Sequence, residues 1–156
     1  MVEQVLSDGV HHRRSAAPAV TGRPFHVLLS PYATTCFVGA LLTDITYSRT
    51  ANMQWANFSA WLLVAGLVFC GLSILFALIG HFRHRSHGNK TLGIAHGVIS
   101  ISIFIVELFN SFIHARDGWT SVVPTGLTLS VIAVILIAIN GTVGWRLERD
   151  PAVGIA

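Results

Sequence analysis

One apolar run, residues 92–114, carries five polar side chains on a single helical face: His96, Ser100, Glu107, Asn110 and His114. At 100° per residue, His96, Glu107 and His114 point within about 40° of one another. Ionisable groups at bilayer depth are expensive and normally face a bundle interior, a partner or a water-filled cavity. The stripe is therefore expected to face inward. Asp44 closes an earlier apolar run and Arg116 follows this one, so Asp44, Glu107, Asn110, His114 and Arg116 form a candidate intramembrane polar cluster. A carboxylate in such a cluster can accept a proton, including one from a quinol headgroup. The alternative is an interhelical lock, with Glu107 protonated or paired and Asp44 capped or facing water.

A second constellation pairs His96 with His26. His26 opens the first apolar run, and His96 lies about one turn into the third. Antiparallel threading places both at similar depth, where two neutral imidazoles could hold a b-type haem iron from opposite sides. Two interfacial histidines bonded to backbone or lipid phosphate would look the same in sequence. His114 lies about 27 Å along the helix from His96, so the two cannot share one site. His81, His84 and His87 recur every third residue in a basic segment. That is a weak metal tract or, more simply, a juxtamembrane anchor to anionic headgroups. Cys36 and Cys70 lie in apolar runs without a CxxC partner and read as small apolar fillers.

The elements that must position these groups follow from composition. The 156 residues are 53% hydrophobic and 11% charged. Soluble domains average about 25% charged residues, so lipid is the expected solvent. Four apolar segments are expected as helices, at about 26–47, 58–80, 92–114 and 122–145. Each is long enough to cross about 30 Å of hydrocarbon at 1.5 Å per residue. Short connections force antiparallel neighbours, giving an all-α four-helix membrane bundle over residues 23–156. Small residues would let the helices approach: Gly39 and Ala40 in the first, Gly66, Cys70 and Gly80 in the second, and Ser130, Ala133, Gly141 and Gly144 in the fourth. Residues 1–22 read as a polar cytoplasmic tail, partly disordered.

Basic residues set the expected orientation. Arg13, Arg14, Arg23, Arg83, Arg85, Lys90, Arg146 and Arg149 fall on one side, against Arg49 and Arg116 on the other. The positive-inside bias then puts both termini and the 81–91 segment in the cytoplasm. The basic excess flanks apolar runs and has no interleaved aromatics, which argues against nucleic-acid binding. There is no phosphate loop, CxxCH, HExxH or nucleophile elbow, so an autonomous hydrolase or nucleotide enzyme is excluded.

From Gly22 to the C-terminus the chain resembles a family of small bacterial membrane proteins known as domain of unknown function 2231. The likeness rests on Arg23-Pro24-Phe25-His26 with Pro31, on Asp44 and His96, and on Gly141-x-x-Gly144 followed by Asp150-Pro151-Ala152-Val153-Gly154-Ile155. Arg23 stands where the family usually has a first histidine, leaving His26 alone of that pair. The resemblance implies an inner-membrane setting near respiratory redox proteins. Three functions are then expected to compete. The first is a haem b subunit, ligated by His26 and His96, passing electrons to quinone or a partner dehydrogenase. The second is a cofactor-free accessory subunit, monomeric or homo-oligomeric. Metal or proton permeation ranks third, because no second helix supplies a polar file to match residues 96–114. No independent catalytic activity is expected.

Overall fold

The computed structural model describes residues 25–83, 89–116 and 122–149. The expected polar tail, residues 1–22, lies outside them. The described residues form four long helices: α1 Phe25–Thr50, α2 Met53–Arg83, α3 Lys90–His114 and α4 Leu127–Glu148. All four are long and apolar enough to cross a membrane. Each packs on its neighbours in a ring, α1 on α2, α2 on α3, α3 on α4 and α4 back on α1, with α1 and α2 in the most extensive contact. The α1–α2 turn, the end of α3 and the Val122–Gly126 turn share one end of the bundle, here the distal end. The start of α1, the end of α2, the start of α3 and the end of α4 share the proximal end.

Capping, rather than the limit of the apolar run, sets where the helices start. The second helix begins at Met53, ahead of the expected Phe58, because the Asn52 side chain accepts the Gln54 N–H at 3.0 Å. Ala51 makes the tight turn before it in the left-handed region, with φ 53°. Asn89 caps α3 by accepting from the N–H groups of Thr91 and Leu92. These side chains satisfy orphan donors that apolar periodicity does not register. The fourth helix starts at Leu127 instead of residue 122, since Val123 is extended (φ −115°, ψ 129°) inside the wide turn Val122–Gly126.

The interior is built from small residues and a few large ones. Ala33, Phe37, Ala40, Leu63, Cys70 and Ile103 form the main apolar cluster. A Cβ on Gly66 would sit 2.5 Å from the Phe37 ring, so only glycine admits that aromatic between α1 and α2. The small-residue stripes divide into two kinds. Gly39 meets Leu62 and Gly144 meets His96, whereas a Cβ on Gly80 or Gly141 would have nothing within 4 Å. Large apolar side chains such as Val68, Leu75, Ile105, Phe109 and Ile135 point outward. That inversion of the soluble pattern is what a lipid solvent permits, since lipid tails are as apolar as leucine. At the proximal end the Arg149 guanidinium lies 3.9 Å over the Trp145 ring, a pairing suited to the headgroup layer.

Candidate functional site

Asp44 lies six residues from the end of α1, about 9 Å in from the distal end at 1.5 Å per residue. It is fully buried, although its place near a helix end suggested solvation. Its carboxylate gathers one group from each of the other helices. Oδ1 accepts the Ser59 hydroxyl of α2 and lies 2.9 Å from His114 Nε2 of α3, and Oδ2 accepts the Ser130 hydroxyl of α4 at 2.6 Å. Asn110 extends the network, its Nδ2 donating to Ser130 Oγ at 2.8 Å and to Glu107 Oε2 at 3.0 Å. Thr43 completes it on the α1–α2 side, 2.9 Å from Ser59. Ser59, Glu107, Asn110 and Ser130 are likewise fully buried.

Counting hydrogens fixes much of the protonation pattern. The amide hydrogens of Asn110 are both used, so Ser130 receives one and sends its own proton to Asp44. His114 Nδ1 faces the Asn110 carbonyl oxygen at 2.9 Å. A carbonyl only accepts, so Nδ1 carries a hydrogen. The Nε2–Oδ1 contact then holds a single further proton, resting either on the imidazole or on the carboxyl. In either form the pair has no net charge, which lowers the cost of burying it. With the proton on His114, Asp44 accepts from Ser59, His114 and Ser130 together. Glu107 contributes a second carboxyl whose Oε1 is buried without a partner.

A lid separates this network from the distal surface. Tyr47, one turn beyond Asp44, packs with Ala56 and Val122, supported by Trp55 and Val123. A cleft of about 140 Å³ indents the surface at the lid's edge, lined by Tyr47, Ser48, Ala51 and Val123. Of the five residues expected in the cluster, Asp44, Glu107, Asn110 and His114 are brought together. Arg116 is exposed just past the end of α3, and none of the cluster's hydrogen bonds reaches it.

A second polar group lies toward the proximal end. His96 rests its ring against Gly144, where a Cβ would be 3.3 Å from Cε1, and its Nδ1 is buried without a partner. One turn along, Ser100 bonds the His96 carbonyl at 2.8 Å and accepts from Asn140 Nδ2 of α4 at 3.0 Å. His26 belongs to the first turn of α1, but its side chain is outside the described residues. His81 has its ring edge-on to Phe82, while His84 and His87 are outside the described residues. Among the described residues no group of three or more His, Cys, Asp or Glu side chains is placed to hold a metal ion.

Sequence reasoning did not assign Thr43, Ser59, Ser130 and Asn140 to the site, and it placed Ser100 on the α3 stripe without its bond to α4. Ser130 already stood out as a small residue of α4. Asn140 lies ten residues further on, about 80° short of three full turns, and meets Ser100 as Ser130 meets Asn110. Ser59 carries no such signal, because a lone serine near a helix start usually bonds its own backbone.

Curated proteins and solved structures yield no match. A family model described as "Predicted membrane protein (DUF2231)" matches residues 22–156. This four-helix membrane protein therefore belongs to the DUF2231 family.

Proposed function

We propose that this chain handles protons within the membrane, with the Asp44–His114 pair holding one exchangeable proton in the distal half of the bundle. The observation that carries the reading is His114 bonded at both nitrogens. One is committed to donate to a backbone carbonyl, and the other shares its proton with a buried carboxylate that donors from α2 and α4 hold in place. Such a pair can gain or lose a proton without its partners being rebuilt. A purely mechanical lock would be served by neutral amides and hydroxyls alone. On the positive-inside rule we read the proximal end as cytoplasmic, in a bacterial inner membrane, and the pair would then face the opposite side. A respiratory or dehydrogenase complex is the class of partner that would use such a subunit.

The test is an infrared pH titration of the purified protein. A carboxylic C=O band that changes together with imidazole ring modes, and vanishes in Asp44→Asn, supports the proposal. A spectrum that does not change with pH and is the same in that variant sinks it and favours a cofactor-free accessory role.

Haem b between His26 and His96 is the second reading. It is favoured by the seat of His96 on Gly144, where a buried ring nitrogen has no protein partner. Oxidised and dithionite-reduced absorption spectra of protein made in cells supplied with a haem precursor decide it. A sharp reduced band lost in His96→Ala would support haem. A colourless, folded protein would remove it.

A further inference from the structure

Among the described residues, four polar atoms of α3 and α4 are buried without hydrogen-bond partners: His96 Nδ1, Glu107 Oε1 and Asn110 Oδ1 on α3, and Asn140 Oδ1 on α4. Protein interiors leave few such atoms, and each calls for a reason. Two bonds cross the seam between these helices, Asn140 to Ser100 and Asn110 to Ser130. From His96 to His114 the file runs about 27 Å, close to the full hydrocarbon thickness of about 30 Å. On α3 its one apolar interruption is Ile103, buried between Ser100 and Glu107, with Leu136 and Ile137 of α4 packed on the same cluster. The expectation that no second helix matches the polar stripe therefore does not hold: α4 supplies Ser130 and Asn140.

We propose that the α3–α4 seam is a proton path, gated at Ile103. Water bonded to the open oxygens of Asn140, Glu107 and Asn110 would link Ser100 and His96 at the proximal end to Asp44–His114 at the distal end. Each water would need two to four polar partners, drawn from these atoms and their polar neighbours. Ile103 closes the path by excluding water, as apolar constrictions do in channels. The unpaired atoms are strung out along the helix instead of converging on one point, which suits a relay and not a cage for a metal ion. The titratable groups around the distal station are Asp44 and Tyr47 of α1 and Glu107 and His114 of α3, with Cys70 of α2 within electrostatic reach of Glu107 and α4 contributing only the Ser130 hydroxyl. For each proton that enters at one end another leaves at the other. Asp44, His114 and Glu107 return to their starting protonation, and no electron moves.

The inference rests on the Asp44–His114 proton site. Its test is proton flux into liposomes carrying an internal pH dye, with the potential clamped by potassium and valinomycin. Ile103→Ser should raise flux severalfold over the parent chain, with Ile103→Thr intermediate and nearly isosteric should the serine variant not fold. Adding Asn140→Leu or Asp44→Asn to either should return flux to the parent level. Unchanged flux in both folded variants overturns the proposal, as does a rise that survives those second substitutions or is matched by sodium. Where the infrared band of Asp44 is present but flux does not respond, the seam alone is wrong. Where that band is absent, the underlying site is wrong.

Discussion

Replacing Asp44 by alanine removes the acceptor on which three helices converge. Ser59 can turn to the Ala40 carbonyl, already 2.9 Å away, so its donor is not stranded. His114 Nε2 and the Ser130 hydroxyl have no such substitute among the bonds described. Interhelical hydrogen bonds in membranes average about 0.6 kcal/mol and reach about 1.7, so two stranded bonds and a weakened third amount to roughly 2–4 kcal/mol. Asp44→Asn retains the shape and one acceptor oxygen and should cost about half as much. The assay is reversible unfolding in mixed micelles titrated with sodium dodecyl sulfate, followed by loss of helicity. A double-mutant cycle with Ser130→Ala should show a coupling of about 0.6–1.7 kcal/mol, because both substitutions break the same bond. A loss under about 0.5 kcal/mol with strictly additive effects would refute the network as a structural unit.

Three further outcomes are expected. Gly66→Ala drives a methyl group to 2.5 Å from Phe37 and should destabilise by about 1–3 kcal/mol in the same assay, with partial rescue by Phe37→Leu, whereas Gly80→Ala, facing open space, should change stability by less than about 0.5 kcal/mol. In a background with Cys36 and Cys70 replaced by alanine, an impermeant thiol reagent added to intact cells should label Asn52→Cys and spare Ser86→Cys; the reverse pattern would overturn the proposed orientation. Asn140→Leu removes one interhelical bond and should cost only about 0.6 kcal/mol, so a loss of proton flux in that variant would not be a folding effect.

Much of the fold was legible because lipid makes composition decisive. A run of some twenty apolar residues has to be a helix, since no water is present to satisfy an exposed backbone. Periodicity showed that residues 96–114 share an inward face, and Asp44 and Glu107 drew attention as carboxyls in apolar runs. Helix ends were less legible. Asn52 and Asn89 start helices through side-chain bonds to the backbone, and Val123 delays α4 by one extended residue.

The sequence alone determined that this chain meets lipid on four helices and carries ionisable groups among them, because hydropathy and helical period are local properties. Only the tertiary structure decided which groups meet. That Asp44 turns to His114 seventy residues away, that Ser59 and Ser130 complete its shell, and that Arg116 stays outside depends on how four helices rotate about their axes. Those rotations are set by contacts such as Phe37 over Gly66 and His96 against Gly144. Each is a fit between two distant positions, and neither position announces the other in the linear chain.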